Sequence, residues 1–203
     1  MRVSRWEPNA RGRLEQAALE LFAEQGFADT TVPQITARAG LTTRTFSRHF
    51  SDKREVLFSY EEQLPGVIAT LMSEAPAHLT AMEVMDRGLG TTVASRFEGQ
   101  REYLMKRQAV VLSDASLRER ELRKLSILSA AIHAGFLERG LSDLDATIAA
   151  QVGVTVFDVA VTRWLAQDSG RALPELFHET LEAVRNLTSA ASAAPQAPAT
   201  APS

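Results

Sequence analysis

The chain has 203 residues, of which 45% are hydrophobic and 23% are charged, proportions that are ordinary for a soluble globular protein. Because it contains no cysteine, disulfide bonds, cysteine-based metal clusters and a thiol nucleophile are excluded. The formal net charge is −3 at pH 7, but the first 60 residues hold nine of the 22 basic residues and only seven of the 25 acidic ones. This end is therefore net positive, which favours contact with phosphate there.

The chain ends and the longest apolar run indicate where the protein resides. The N-terminal segment MRVSRWEPNARGR has no apolar core, so we expect no secretory signal and a cytoplasmic protein. The apolar run at 146–166 contains Gln151, Asp158 and Arg163, and charges at mid-span are costly in lipid. We therefore expect this run to be a helix buried in protein, with no membrane contact.

Three short helices are predicted in the first 50 residues. Apolar residues at i, i+3, i+4 and i+7 over residues 14–22 predict a first helix, which stops at Gly26. A capping box in the segment TVPQ predicts a second helix that ends before Gly40. The threonines of the segment LTTR predict the start of a third helix, which ends near Phe50.

The remainder of the chain is also helical in period. A fourth helix is predicted from Lys53, with a kink or break at the Pro65-Gly66 pair, and a capping box in TAME opens a fifth that reaches Phe97. Four further helices are predicted at about 100–113, 116–139, 143–168 and 174–189. No alternating strand pattern occurs, so the predicted fold is all-α with about nine helices. The uncharged Ala/Pro/Ser/Thr tail at 190–203 is predicted to be disordered.

Residues 31–54, TVPQITARAGLTTRTFSRHFSDKR, carry the functional signal. Two short helices joined by a glycine-containing turn are typical of a helix-turn-helix that reads DNA. At ~100° per residue, Phe46 and Phe50 share an inward face of the third helix, whereas Arg44 and Arg48 point outward. A short, polar, cationic outer face suits the major groove. The alternative interpretation is that these arginines form only a solvated helix face.

The predicted DNA contacts come from the ends of the two helices and from the outer face. Thr43, Arg44 and Thr45 lie near the N-terminus of the third helix, where recognition helices meet base edges. His49 and Lys53 are better placed for phosphates, and a helix N-terminus such as Thr31 can also bind phosphate. The full set of candidates is Thr31, Gln34, Thr42, Thr43, Arg44, Thr45, Arg48, His49 and Lys53.

Residues 10–57 resemble the DNA-binding domain of the TetR family of bacterial transcriptional repressors. The resemblance lies in the segments LEQAALELFAEQGF, TTVPQITARAG and LTTRTFSRHFSDKREVL, whose residues match the family at the same spacing over nearly fifty positions. It implies that Thr31, Thr45, His49 and Lys53 contact operator DNA.

This chain departs from the family pattern at two positions. Arg44 stands where the family often has a small residue, and Ser47 stands where an aromatic side chain usually packs against the DNA backbone. We expect that aromatic contact to be missing and Arg44 to read guanine directly.

Beyond residue 60 the resemblance is in helix count and length. It implies a helical effector-binding and dimerisation domain whose last two long helices pair across a two-fold axis. The predicted domains are 1–55 for DNA binding, 56–189 for effector binding and dimerisation, and 190–203 for the tail. The candidate effector contacts are Met72, Phe97, Leu104, Met105, Gln108, Phe136, Phe157, Asp158 and Trp164, and ordinary core packing is the favoured alternative for the uncharged ones. Asp158 and Arg163 are expected to be buried charges on different flanks of their helix, one facing a pocket and the other the dimer interface.

The predicted function is a dimeric transcriptional repressor that binds a near-palindromic operator in double-stranded DNA and is released by a small hydrophobic effector. No catalytic residue, metal site or cofactor is predicted, because no HExxH, GxSxG or glycine-rich phosphate loop occurs. The alternative is an architectural or effector-independent DNA-binding protein, and an all-helical enzyme is a distant third.

Overall fold

The computed structural model describes residues 9–59, 63–93, 97, 99–166 and 170–190, and all regular structure in that part of the chain is helical. The helices are α1 (Ala10–Gln25), α2 (Val32–Ala39), α3 (Thr43–His49), α4 (Glu55–Phe58), α5 (Leu64–Glu74), α6 (Ala81–Val84), α7 (Arg101–Ser113), α8 (Ala115–Glu138), α9 (Asp143–Ala166) and α10 (Leu173–Ala190). The predicted all-α fold is confirmed. Apart from Ala190, the predicted disordered tail lies outside the described residues.

The N-terminal helices begin and end where the sequence predicts. The Thr31 side chain accepts a hydrogen bond from the N–H of Gln34, and the Gln34 side chain accepts one from the N–H of Thr31 at 2.8 Å. This is the predicted capping box. Gly40 ends α2 with φ 64, a left-handed conformation that glycine adopts without steric strain. Thr42 then caps α3 by accepting from the N–H of Thr45 at 3.1 Å, so the turn between the two helices is closed at both ends.

The predicted fourth helix corresponds to two helices, α4 and α5. Pro65 lies in the first turn of α5. Proline lacks an N–H, and its fixed φ suits a helical first turn, where that N–H would have no partner within the helix. The predicted break is therefore present, but it lies just before Pro65, which stands in the first turn of the new helix.

The chain after α6 widens into π-helical turns at Met85–Val93. The capping box predicted before it is present. Two glycines let neighbouring helices approach these turns closely: a Cβ at Gly90 would lie 2.7 Å from Cδ1 of Phe177, and a Cβ at Gly88 would overlap the side chain of Leu71. The widened segment thereby packs directly against α5 on one side and α10 on the other.

Buried side chains form two cores. The N-terminal core contains the buried residues of α1 to α4 together with Val110 and Val111 of α7 and Leu117 of α8. The body core is formed by the buried residues of α5 to α10. Residues 56–58 belong to the N-terminal core, so its packing continues past the boundary predicted at residue 55, and the ends of α7 and α8 are part of it.

Helix α9 explains the long apolar run. It is the one helix in the described part of the chain that is long and apolar enough to cross a membrane. It packs between α8 and α10 and buries residues along its length, among them Ala146, Val156 and Trp164. Gly153 faces the π-helical turns, where a Cβ would come within 3.0 Å of the sulfur of Met85. Burial inside the body therefore accounts for one side of α9, whereas Leu144, Ile148 and Val159 on another side are exposed.

Candidate DNA-binding surface

The inner face of α3 is anchored in the N-terminal core. Phe46 is 2% exposed and Phe50 is 4% exposed, and their ring centroids lie 5.4 Å apart. Burial of each phenylalanine contributes roughly 1.5–3 kcal/mol. Ile35 and Ala39 of α2 are buried in the same core. The predicted packing face of α3 is observed, and it directs the opposite face of the helix outward.

The outer face of α3 presents polar and cationic groups to solvent. Thr43, Arg44, Ser47 and Arg48 are all exposed. Among the described residues Arg44 has no hydrogen-bond or ion-pair partner. Arg48 lies 3.4 Å from the ring Nε2 of the half-buried His49, and the Ser47 hydroxyl donates back to the Thr43 carbonyl at 3.1 Å. Arg44 is therefore an exposed donor with no competing acceptor among the described residues.

Several residues that were predicted to contact DNA also cap the N-termini of α2 and α3. The Thr42 and Thr45 hydroxyls lie 3.0 Å apart, and Thr45 is half-buried. The Gln34 carbonyl oxygen accepts from both the N–H and the hydroxyl of Thr31, so Gln34 has mainly a capping role. Thr31 is exposed at the N-terminus of α2, where backbone N–H groups favour an anion. Thr31 is thus exposed but bonded to Gln34, whereas the outer face of α3 carries the exposed arginines.

Lys53 makes contacts within the protein that the sequence did not predict. Its Nζ donates to the carbonyls of Phe27 at 2.6 Å, Ala28 at 3.1 Å and Thr30 at 2.8 Å, and it lies 4.4 Å from the centroid of the Phe27 ring. An ammonium group has three N–H donors, and all three are used here. In this geometry Lys53 holds the loop between α1 and α2, and its predicted phosphate contact stays a prediction.

Two other basic residues of this domain are held in ion pairs. Arg38 donates to Glu24 at 2.7 Å and approaches Glu20 at 3.4 Å, and the hydrogen bond from Arg38 lowers the pKa of Glu24. Arg54 pairs with Asp52 at 3.0 Å; burial acts to raise the pKa of Asp52, but the hydrogen bonds it accepts keep that pKa below its ordinary value. Within the described part of the helix-turn-helix, the arginines left outside ion pairs are those of α3.

The nine predicted effector contacts are dispersed through the body. Four are buried in the body core: Met72, Leu104, Phe136 and Trp164. Three are partly buried: Phe97, Gln108 and Phe157. Two are exposed: Met105 and Asp158. The rings of Phe97 and Phe157 lie 5.9 Å apart, which is the one aromatic pair the structure brings together in this set. The assignment of these residues to an effector site stays a prediction.

The expectation that Asp158 and Arg163 are buried charges was wrong. Asp158 is exposed, and Arg163 is partly exposed and donates to Glu179 of α10 at 2.8 Å. Glu179 also pairs with Arg171 at 2.8 Å, and the hydrogen bonds from both arginines lower its pKa. Arg163, Glu179 and Arg171 form a surface ion-pair network that joins α9 to α10. Sequence spacing alone does not show on which side of a helix the solvent lies.

Two grooves open on the body. One, of about 660 Å³, lies between α5 and the segment after α6, with Leu71 and Val84 in its apolar floor and Arg87 among its polar residues. The other, of about 590 Å³, lies between α8 and α9 and includes His133 and Asp143, which are 3.0 Å apart. None of the nine predicted effector contacts lines either groove.

The described residues contain no group of three or more histidine, aspartate or glutamate side chains placed to hold a metal ion. Histidines instead pair singly, His133 with Asp143 and His178 with Asp86 at 3.1 Å. The first pair joins α8 to α9 and the second joins α10 to the π-helical turns, so both contribute to packing.

Comparison with known proteins identifies the N-terminal domain. Residues 15–60 match the family model described as bacterial regulatory proteins, tetR family. The HTH-type transcriptional regulator TcmR of Streptomyces glaucescens is 30% identical over 92 residues, which is 45% of this chain and 41% of TcmR. The chain thus matches less than half the length of that relative.

Two longer matches extend into the body. The fatty acid metabolism regulator protein of Bacillus subtilis (strain 168) is 24% identical over 175 residues, covering 82% of this chain and 89% of the relative. The solved structure of Thermus thermophilus FadR, a TetR-family transcriptional repressor in complex with lauroyl-CoA, has a TM-score of 0.55 at 24% identity and covers 95% of this chain and 100% of that one. These likenesses show that the body shares the fold of these regulators.

Proposed function

We propose that this chain, which belongs to the TetR family of bacterial regulatory proteins through its N-terminal domain, is a cytoplasmic, dimeric transcriptional repressor that a small hydrophobic effector releases from DNA. The observation that carries the proposal is the outer face of α3, where exposed Thr43, Arg44 and Arg48 project from a helix whose inner face is buried. Such a face fits the major groove and offers donors to base edges and phosphates.

Within that face Arg44 is the residue for base reading. Its guanidinium is exposed and has no partner among the described residues, so it can pair bidentately with a guanine without giving up a protein contact. Arg48 lies one turn further along α3 and supports phosphate contact, as does Thr31 at the start of α2. Ser47 lies between Arg44 and Arg48 on this face, and its small side chain leaves space that the aromatic residue usual in the family would fill.

The partner across the two-fold axis is a second copy of this chain, held through α9. Leu144, Ile148, Thr155, Val159 and Thr162 lie on one face of α9 and are exposed; we call this set the α9 stripe. Leu144 is 68% exposed and Ile148 is 53% exposed. A row of exposed branched side chains along a helix marks an association surface, and a dimer would place two copies of α3 on the two halves of a palindrome.

The effector would act by linkage. If the effector and the operator bind different conformations of the dimer, each weakens the affinity for the other, and a ~100-fold effect needs about 3 kcal/mol of coupling. The groove between α5 and the π-helical turns is a second candidate site beside the nine predicted residues, because its apolar floor is combined with the exposed cation Arg87. The lauroyl-CoA bound to the Thermus thermophilus structure makes acyl-CoA thioesters the first compounds to test.

The proposal is tested by selecting bound duplexes from a random DNA pool and measuring their affinity against competitor DNA. A site-specific repressor should enrich a near-palindromic sequence and bind it at least about 10³-fold more tightly than random DNA at physiological salt. Lauroyl-CoA, stearoyl-CoA and uncharged hydrophobic compounds are then screened for release of that duplex. An architectural protein would bind all duplexes alike, with a steep salt dependence and no enriched sequence.

A further inference from the structure

A buried arginine joins the DNA-binding domain to the body. Arg107 of α7 is 6% exposed, and its Nε donates to the carbonyl of Leu57 in α4 at 2.8 Å. Its Nη2 donates to Glu121 of α8 at 2.7 Å, and its guanidinium carbon lies 4.8 Å from the centroid of the Phe58 ring. One side chain of α7 therefore contacts two other helices, α4 and α8, at the point where the N-terminal core meets α7 and α8.

A second arginine strengthens the same place. The guanidinium of Arg120 of α8 also lies over the Phe58 ring, at 5.3 Å, and its Nε is 3.6 Å from Glu55 at the start of α4. Phe58 itself is fully buried. Cation–π contacts and charge-assisted hydrogen bonds are strong when they are removed from water. We call Arg107, Phe58, Arg120, Glu121 and the Leu57 carbonyl the Arg107 junction.

The charge of Glu121 orients the junction. Burial acts to raise the pKa of Glu121, but the neighbouring charges of Arg107 and Lys124 outweigh burial and keep that pKa below its ordinary value. The carboxylate is therefore ionised at neutral pH and holds the planar guanidinium of Arg107 in one orientation, with its Nε directed at α4. An arginine can do this because its donors are arranged in a rigid fork.

We propose that Arg107 is a positioning residue that fixes the DNA-binding domain relative to the body and thereby sets the half-site spacing that the dimer accepts. The inference rests on the proposed function. Adding one base pair between half-sites moves the second half-site by about 3.4 Å and rotates it by about 35°. If the body holds the two copies of α3 rigidly, the dimer should bind a duplex with altered half-site spacing more weakly. If the connection between the DNA-binding domain and the body is loosened, the dimer should bind both spacings with similar affinity.

The experiment uses the full-length chain and the palindrome obtained by selection. Affinities are measured for that duplex and for duplexes with one base pair added or removed at the centre. The wild type should bind the altered duplexes about 10-fold or more weakly, and Arg107→Met should reduce that ratio to about 3-fold or less. Arg107→Lys, which retains the charge but not the planar fork, should lie between them. Lys106→Met is the matched control, because Lys106 is exposed and pairs with Glu102 on its own helix, and its ratio should equal that of the wild type.

A ratio of affinities does not depend on how much of a variant is folded, so loss of stability alone cannot produce the expected result. If Arg107→Met does not yield folded protein, Glu121→Gln removes the charge that orients Arg107 and should reduce the ratio in the same direction. An unchanged ratio in the junction variants, with every duplex bound more weakly by the same factor, would overturn the inference. Failure to select any palindrome would instead remove the proposed function on which it rests.

Discussion

The DNA-binding domain and the body use arginine and lysine in different ways. On α3, Arg44 and Arg48 are exposed and remain outside ion pairs with the described residues, whereas in the body Arg107 is buried and Arg163 is paired. Lys53 belongs to the first domain by sequence but behaves like the body residues, because its ammonium is donated entirely to backbone carbonyls. From this difference we expect the arginines of α3, rather than Lys53, to contact DNA.

The largest expected effect concerns the α9 stripe. We predict that the double variant Leu144→Glu, Ile148→Glu separates the dimer, because two carboxylates buried against a second copy without partners would cost about 3–5 kcal/mol or more. Sedimentation or light scattering measures the mass. Leu122→Glu is the control, since Leu122 of α8 is 67% exposed and lies outside the stripe. A stripe variant that keeps the mass of the wild type would show that the dimer forms elsewhere.

Variants of Lys53 and Arg48 distinguish a cation that stabilises the fold from a cation that contacts DNA. Lys53→Met should lower the free energy of unfolding by about 1.5–3 kcal/mol, because three carbonyls, two of them in part-buried bonds, lose a charged donor. Chemical denaturation measures this loss. The slope of log affinity against log salt for operator binding should remain that of the wild type, whereas Arg48→Met should reduce the slope by about 1 and leave stability nearly unchanged. A reduced salt slope for Lys53→Met would return Lys53 to the phosphate contacts.

Arg44 tests whether the open guanidinium reads a base. Arg44→Ala should relax the preference at one position of each half-site by ~1–3 kcal/mol and leave the other positions unaltered. Competition binding with single-base variants of the selected operator gives this preference. Ser47→Ala, on the same face but with its hydroxyl bonded to the Thr43 carbonyl, should leave the base preference as it is. Equal weakening on all sequences would make Arg44 a phosphate contact.

The smallest effect is the pH dependence at Glu121. Because its pKa is lower in the folded state, the stability it contributes is fully present above the unfolded pKa of about 4.3 and is lost as pH falls through the folded value. The wild type should therefore exceed Glu121→Gln in stability by about 1 kcal/mol at pH 7, and the difference should shrink below pH 4. Thermal unfolding at a series of pH values measures it. A difference that grows on acidification would contradict the assigned direction.

Local patterns predicted the DNA-binding domain well, because its signals depend on near neighbours in sequence. The Thr31–Gln34 capping box, Gly40 at the end of α2 and the buried pair Phe46 and Phe50 are all set within one or two helical turns. The same kind of local signal predicted the first and last residues of α7 to α10, and the predicted bounds agree with the described ones within a residue or two.

What the sequence did not predict depends on contacts between distant residues. The partners of Lys53 lie 23 to 26 residues away, and those of Arg107 lie 14 and 50 residues away. Nothing in the segment REYLMKRQ distinguishes buried Arg107 from its exposed neighbour Lys106. For the same reason the apolar residues of the body could not be divided between core and effector site, and Asp158 was expected to be buried although it faces solvent.

Hydrogen exchange of the full-length protein with and without the selected operator tests the central claim most directly. If α3 reads DNA, operator binding should slow amide exchange mainly in residues 31–34 and 42–49. The exchange rates of the exposed parts of α8 and α9 should not change. Protection of the groove between α8 and α9 in place of α3, or no change at α3, would contradict the assignment of the DNA-binding surface.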